Sequence, residues 1–375
     1  MNIFQEIDGI PKEQLHPKFK LLNEITLTSE KNILQSWSRG VVDKDGKMVR
    51  EFQTTFHSCF WEFYLYKLFN SLGFQLDQTK QVPDFIIKTP TEFYVEAVVS
   101  NIKREGKPES DRTLYDQLSM IEPPYLQKNY YEELDEAITR DSNALNSKIS
   151  KYRNSYVNKA WVNKNAPFII ALSSYDQINY GHEYIYPMLA LLYGLYYNAE
   201  NDAFSVQDSI NKPGTDSKIP IGIFKDPLNA DISAVIFSCT VTLGKLTALA
   251  ISHGDIVFNN VYEFLRNCEN NKYLLRIVSP EYPENIAEGT FIFHNPHATN
   301  KIDENLFSNA DAPLTQFFLD DNGLQYSGNA TPLVARLNVS KIFPEQVIKP
   351  YVMEKLRAYN RASLQDFYDI VRNEV

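Results

Sequence analysis

The stretch FHSCFWEFYLYKLFNSLGFQLDQTKQVPDFIIKTPTEFYVEAVVSN, residues 56–101, decides how this chain folds. Its first part repeats apolar residues at a spacing of three and four, which predicts a core-facing helix over 60–72. Its second part contains two β-rich runs, 82–87 and 93–99, separated by the turn sequence KTPTE over 88–92. The stretch therefore predicts a helix followed by a β-hairpin.

Three carboxylates of this stretch stand at unusual positions for charged groups. Glu62 lies between two aromatic residues of the helix, Asp84 opens an apolar strand and Glu96 interrupts the next strand. If the hairpin pairs symmetrically about Pro90, Asp84 and Glu96 lie opposite each other with Cβ atoms about 4.5–5.5 Å apart. Two carboxylates so close repel each other unless a cation or a proton lies between them. The pattern therefore predicts that these acids form a divalent-metal site.

Each acid also has an ordinary interpretation. Glutamate near the N-terminus of a helix is common, because the helix dipole favours it there. Asp84 is compatible with a strand start and Glu96 with an edge strand that faces water. A slip of one residue in the hairpin register would also move Glu96 to the opposite face. The three acids taken together favour the metal site over these separate explanations.

A second feature is a local reversal of charge in a chain whose formal net charge is −10. A long helix is predicted over 133–160, and the stretch 142–166 contains no Asp or Glu. Its cationic residues are Lys148, Lys151, Arg153, Lys159 and Lys164, and its interleaved aromatic residues are Tyr152, Tyr156 and Trp161. Basic and aromatic side chains together are typical of nucleic-acid binding, although a solvated helix face is the alternative.

Composition limits the class of protein. The chain has 375 residues, of which 43% are hydrophobic, so it is globular and can bury a large core. No apolar signal stands at the N-terminus, and no apolar stretch reaches the roughly 20 residues that a membrane helix needs. The three cysteines are widely spaced, which suits a reducing compartment. We therefore expect a cytoplasmic protein without membrane contact.

The rest of the chain is expected to surround the hairpin. We expect an accessory segment over 1–50, with the turn DKDG between two short strands or arms, and a core over 51–200 that includes a helix over 184–198. A β-rich extension is expected over 201–300. The C-terminal region, 301–375, is expected to end in two amphipathic helices, the second over 363–375.

The order of these motifs resembles that of the PD-(D/E)xK nuclease superfamily, and in particular a bacterial branch of it. The resemblance rests on Glu62 in a helix, the Pro83-Asp84 pair at the start of one strand, Glu96 in the next strand and a lysine-rich helix after them. It implies an α/β fold with a restriction-endonuclease-like αβββαβ core, in which a central mixed sheet is flanked by helices. The implied core elements are 60–72, 74–79, 83–88, 92–99, about 133–160 and 167–173, followed by additional C-terminal strands and helices.

The resemblance also implies roles for the acids. Asp84 and Glu96 would bind the metal, Glu62 would bind it directly or through water, and the carbonyl of Ala97 is a further possible ligand. The implied cofactor is Mg²⁺, with Mn²⁺ as a substitute. The implied activity is hydrolysis of phosphodiester bonds in nucleic acid, with DNA favoured over RNA, and the superfamily suggests bacterial defence as a role by analogy alone.

The chain departs from the superfamily pattern at one position. The superfamily places a catalytic lysine two residues after the glutamate, and this chain has Val98 there. Lys148 and Lys151 share one face of the following helix and are the expected replacements, with Lys103 ranked below them. Because of Val98, an inactive nuclease-like module that binds nucleic acid or protein is the main alternative, and a structural or assembly subunit is the third. The oligomeric state stays open, with a homodimer as one alternative.

Overall fold

The structure is a computed structural model that describes residues 1–103, 106–308 and 313–362. It is a mixed α/β fold in which a large central sheet carries helices on both faces. Within these residues no helix has both the length and the apolar character that crossing a membrane requires. The second C-terminal helix that the sequence predicts, over 363–375, lies outside the described residues.

Helices and strands alternate along most of the chain. The helices are α1 (Pro17–Leu22), α2 (Thr28–Trp37), α3 (Met48–Thr54), α4 (His57–Ser71), α5 (Leu114–Leu118), α6 (Tyr130–Asn154), α7 (Tyr186–Tyr193), α8 (Leu243–Ser252) and α9 (Glu345–Tyr359). The strands are β1 (Gln75–Leu76), β2 (Phe85–Thr89), β3 (Phe93–Asn101), β4 (Phe168–Tyr175), β5 (Leu195–Asn198), β6 (Ala203–Val206), β7 (Ser209–Asn211), β8 (Lys218–Pro220), β9 (Ala234–Ser238), β10 (Asn259–Arg266), β11 (Tyr273–Ile277), β12 (Phe291–His294), β13 (Thr315–Asp320), β14 (Gly323–Ser327) and β15 (Leu333–Ser340).

The central sheet of the described chain has the strand order β1-β2-β3-β4-β9-β12-β13-β14. β3, β4 and β9 run parallel to one another, and α6 lies in the crossover between β3 and β4. Strands from the regions beyond residue 200 therefore extend the same sheet that the hairpin begins. A separate three-stranded sheet, in the order β11-β10-β15, stands beside it.

The predicted hairpin register is confirmed. β2 and β3 pair antiparallel, with Phe85 opposite Val95. One step further along the same register places Asp84 opposite Glu96, as pairing about Pro90 predicts. Packing on both faces fixes this register, because a slip by one residue would move side chains such as Phe85 and Ile86 out of the apolar clusters to which they belong and onto the opposite face.

The two faces of β3 pack against different helices. Phe93, Val95 and Ala97 belong to the apolar cluster that contains α4, while Tyr94 belongs to the cluster that contains the buried side chains of α6. Since side chains alternate along a strand, Glu96 points to the face that α6 covers. The hairpin thus presents its acids at the border between two separate cores.

The N-terminal segment is helical, whereas the sequence predicted two short strands or arms on either side of its turn. The DKDG turn is present, but it joins α2 to α3 and no strand flanks it among the described residues. The carboxylate of Asp43 accepts hydrogen bonds from the backbone amides of Gly46, at 2.8 Å, and Met48, at 3.2 Å, so the turn leads into the first turn of a helix. α2 buries Trp37 and packs on α4 and α8, so the segment covers the core as expected.

Two further elements differ from the sequence-based expectation. The helix predicted over 184–198 ends at Tyr193, because Gly194 adopts a left-handed conformation with φ of 71°, and β5 follows. Helix α8 lies within the region expected to be β-rich, and the hydroxyl of Thr242 caps it by accepting a hydrogen bond from the Gly244 amide.

Candidate active site

Glu96 is the centre of the site that the hairpin and α6 form. Its side chain is fully buried, and Oε1 accepts hydrogen bonds from Lys148 Nζ at 2.8 Å, Lys151 Nζ at 3.2 Å and the Tyr156 hydroxyl at 2.9 Å. A carboxylate removed from water requires such partners, because burying an unpaired charge is unfavourable. The structure thus brings together the acid and both lysines that the sequence analysis paired.

The buried face of α6 determines where the lysine side chains of this helix point. Leu145, Ile149 and Tyr152 pack into the core, so the neighbouring Lys148 and Lys151 lie along the border of the buried face and reach the sheet. The Lys148 side chain is 18% exposed and that of Lys151 is 49% exposed. Lys148 is therefore the inner of the two cations.

Asp84 is tied to Glu96 through the backbone of the hairpin. Asp84 Oδ2 accepts a hydrogen bond from the Ala97 amide at 2.8 Å. The Asp84 amide in turn donates a hydrogen bond to Glu96 Oε2 at 3.4 Å. Lys44, in the loop before α3, donates from Nζ to the Asp84 carbonyl at 3.0 Å. Among the described residues, Asp84 Oδ1 and the Glu62 carboxylate receive no hydrogen bond, so these oxygens are available to a ligand.

The acids perturb one another. Burial and then the charge of Glu96 raise the pKa of Asp84 to about 6, while Lys148 acts in the opposite direction. Burial and then the charge of Asp84 raise the pKa of Glu62 to about 8. The charge of Asp84 therefore acts on Glu62, although Glu62 belongs to α4, which packs on the opposite face of the sheet from α6. A cation near these groups would favour their ionised forms.

A cavity of about 470 Å³ lies beside two of these acids, Glu62 and Asp84. Glu62 and Asp84 line one side, and the loop from Val41 to Met48, which includes Lys44, lines the other. This volume is within the usual range of small-ligand sites, about 300–1,000 Å³. The N-terminal segment therefore forms one wall of the candidate site.

The acids are compatible with a small, hard cation that keeps much of its water. Carboxylate oxygens are the ligands that such cations prefer. The three acids do not form a closed cage, however, because among the described residues only His16, His57 and Glu109 bring three ligand atoms within 4.8 Å of one another. The carboxylates of the acidic site are thus spaced apart, and water would fill the remaining coordination positions of a bound cation.

The histidine group is a weaker candidate for a metal. Glu109 Oε1 lies 3.2 Å from the Lys18 ammonium and Oε2 lies 3.6 Å from His57 Nε2, so the carboxylate already balances a positive charge. A divalent ion placed there would meet the lysine directly and be repelled. We therefore read this group as an ion-pair network.

The remaining basic residues have different surroundings. Arg153 pairs with Asp231, with 2.6 Å between Nη2 and Oδ1, and also donates to the Leu228 carbonyl, so its guanidinium is engaged within the protein. The Lys159 ammonium lies 5.8 Å from the centroid of the Trp161 ring. Lys164 is exposed, and Lys103 pairs with Glu136 at 3.5 Å.

Two residues at the site make contacts that were not predicted from the sequence. Tyr156 was expected among the aromatic partners of nucleic acid, but it donates a hydrogen bond to Glu96 from the 3-10 turn Tyr156–Asn158 that follows α6. Lys44 gave no sequence signal, because a loop brings it to the site from another part of the chain.

The site therefore consists of three acids from α4 and the hairpin, two lysines from α6, and the additional residues Tyr156 and Lys44. Its geometry alone carries the functional argument. Comparison of the chain with protein-family models, with curated proteins and with solved structures returns no match.

Proposed function

We propose that this protein is a metal-dependent nuclease that hydrolyses phosphodiester bonds in nucleic acid, with DNA favoured over RNA. The observation that carries the proposal is the contact of Lys148 and Lys151 with Glu96, at 2.8 and 3.2 Å, beside Asp84. A nuclease needs acids that hold a cation and cationic groups that face the phosphate, and both kinds of residue meet here.

The order of elements supports the same proposal. α4, β1, β2, β3, α6 and β4 follow one another in the order of the αβββαβ core of the PD-(D/E)xK superfamily. Two of the acids come from the hairpin and the third from the preceding helix, which is the distribution that the resemblance implies. We propose on this basis that the fold is restriction-endonuclease-like.

Asp84, Glu96 Oε2 and Glu62 are the proposed ligands of Mg²⁺ or Mn²⁺. When bound, such a cation acidifies a water molecule and offsets the negative charge of the phosphate. The Ala97 amide holds the Asp84 carboxylate in place, and Tyr156 fixes Glu96.

The two lysines have separate proposed roles. Lys148, the more buried, orients Glu96 and stabilises negative charge that develops on the phosphate. Lys151 is half exposed and is placed to contact the substrate backbone. Lys44 binds the Asp84 carbonyl and adds positive charge on the opposite side of the cavity.

One observation favours the alternative of an inactive module. Val98 stands where the superfamily has its lysine, and its side chain packs against the core on the α6 side. In that alternative, the contacts of both lysines with Glu96 are a structural ion-pair network. The two proposals differ in whether replacing Lys148 abolishes a reaction or only changes stability.

A plasmid-nicking assay distinguishes these possibilities. Supercoiled plasmid DNA or single-stranded circular DNA is incubated with Mg²⁺ or Mn²⁺ and with wild type, Asp84→Ala, Lys148→Ala or the exposed-lysine control Lys12→Ala. We expect nicking by wild type and Lys12→Ala and its loss in the other two variants. If wild type cuts no better than Asp84→Ala, the nuclease proposal is wrong.

A further inference from the structure

We propose that the substrate contains unpaired bases, and that Trp161 is a stacking platform for one such base beside the acidic site. This inference rests on the proposed function because it names the substrate class of the same site. The sequence suggested three aromatic residues as partners for nucleic acid, and the structure separates them.

Two of the three aromatic residues have other roles. Tyr152 is buried and stacks on Phe168 with ring centroids 3.8 Å apart, and Tyr156 is buried against Glu96. Trp161 is 37% exposed. A base stacks on a flat aromatic side chain only where solvent reaches it, so Trp161 is the member of this set that can receive one.

The Trp161 ring is held in a fixed orientation. Its Nε1 donates a hydrogen bond to the Val82 carbonyl at 3.0 Å. The Tyr94 hydroxyl accepts from the Asn163 amide at 2.8 Å and lies 3.4 Å from the Trp161 carbonyl, so the backbone that follows the ring is attached to the hairpin. A platform that is already ordered loses little conformational entropy when a ligand binds.

The platform lies next to the proposed metal ligands. Val82, which anchors the ring, is two residues before Asp84, so their Cα atoms are at most about 7 Å apart. A nucleotide whose base stacks on Trp161 therefore places its neighbouring phosphates in the region of the acids.

The surroundings of the ring are basic. Lys80 Nζ and Lys159 Nζ lie 5.7 and 5.8 Å from the ring centroid, and Lys164 follows three residues after Trp161. The nearby acid Glu92 is paired with Lys88. Lysine side chains are flexible, so these two ammonium groups can move from the ring to phosphates when a base takes their place.

This combination selects unpaired nucleic acid. Base pairs in a continuous duplex are covered on both faces by their neighbours, so a protein ring reaches a base face only at a strand end, a gap or a single strand. An aromatic platform with a basic rim binds single strands with little dependence on sequence. We therefore infer a preference for single-stranded over double-stranded substrate.

The test measures binding without cutting. Full-length protein in EDTA is titrated into a labelled 12-nucleotide single-stranded DNA, the same sequence as RNA, and the DNA duplex, and affinity is read from fluorescence anisotropy. Trp161→Ala is compared with Trp161→Phe, which keeps a ring, and with Tyr282→Ala, which removes an exposed aromatic residue elsewhere.

We expect Trp161→Ala to weaken single-strand affinity roughly 5- to 150-fold, the range reported for one stacked base. Trp161→Phe keeps most of the affinity and Tyr282→Ala all of it, while duplex affinity changes less than about twofold in every variant. Either sugar as the preferred one supports the inference, and the RNA and DNA titrations identify which it is.

Two independent measurements guard against a misfolded variant. Trp37 and Trp61 are buried, so quenching of wild-type tryptophan fluorescence by unlabelled single strands reports on Trp161. The double variant Lys80→Ala, Lys159→Ala leaves the ring intact and should reduce the slope of log affinity against log salt by about 1.4, since each phosphate contact on a single strand contributes about 0.7.

Unchanged single-strand affinity in Trp161→Ala, or tighter binding of duplex than of single strand by wild type, would overturn the inference. Because EDTA prevents metal-dependent cutting, these binding results can be interpreted even if the plasmid assay shows no nuclease activity. Conversely, a nuclease whose Trp161→Ala variant binds single strands normally would keep the proposed function and refute the platform.

Discussion

Replacing Lys148 by methionine separates its role from that of Lys151. The change keeps the length of the side chain and removes the ammonium group 2.8 Å from the buried Glu96. Deleting one partner of a fully buried ion pair costs about 3–5 kcal/mol, and a hydrogen bond to a charged group contributes about 1.5–3 kcal/mol. Since Lys151 and Tyr156 still hold Glu96, we expect Lys148→Met to lower the free energy of unfolding by about 2 kcal/mol.

Lys151→Met is the matched control. Its ammonium contacts the same oxygen of Glu96, but its side chain is 49% exposed, so water compensates for its loss. We expect a decrease of only about 0.5 kcal/mol. Urea unfolding followed by circular dichroism gives both values, provided that the slope of the transition is unchanged between variants.

A double variant tests whether Glu96 is the reason for the effect. Glu96→Gln removes the buried charge, so Lys148→Met in that background leaves no carboxylate unpaired. We expect the cost of the double variant to be at least about 1 kcal/mol less than the sum of the single costs. Equal effects of Lys148→Met and Lys151→Met, or additivity with Glu96→Gln, would contradict the assignment of Lys148 as the inner partner.

Three other outcomes are expected. The pKa of Glu62 is raised from 4.5 to about 8, so the folded state holds a proton that the unfolded state releases, and stability without metal should fall as pH rises from about 4.5 to 8. Added Mg²⁺ should oppose this fall in thermal melts across that range, because the bound cation favours the ionised acids. Tyr156→Phe should lower the free energy of unfolding by about 1.5–3 kcal/mol and reduce nicking, as measured by urea unfolding and the plasmid assay, because Glu96 loses the 2.9 Å hydrogen bond. Arg153→Ala should destabilise the protein but leave nucleic-acid affinity within about twofold in anisotropy titrations, because Asp231 already neutralises this side chain; a large loss of affinity would show that the pair opens.

The hairpin could be predicted from the sequence because its determinants are local. A central turn at Pro90 and the two β-rich apolar runs that flank it specify the pairing of Asp84 with Glu96. The helical period likewise places Lys148 and Lys151 on one side of α6. These two local rules together account for the contact between the lysines and Glu96.

Other parts of the site depend on contacts between distant segments. Lys44 reaches Asp84 because α2 and α3 pack on α4, whereas short strands or arms were predicted there from the sequence. The charge pattern of the sequence predicted the same role for Arg153 and Lys159. In the structure Asp231 neutralises Arg153, while Lys159 lies beside Trp161. Whether a basic side chain is free to bind a ligand depends on the acids that the fold brings to it, and such acids are remote in sequence.

The border position of the hairpin between two apolar cores makes the site sensitive to partial unfolding. Glu62 is attached to the core of α4, while Lys148, Lys151 and Tyr156 belong to the layer of α6. If α6 detaches while the hairpin persists, Asp84 and Glu96 keep their places but lose every ammonium and hydroxyl partner that α6 and the turn after it supply. Under the proposed function, cleavage would therefore require that both layers have docked, so activity would report on completed folding and an incompletely folded chain would be harmless to nucleic acid.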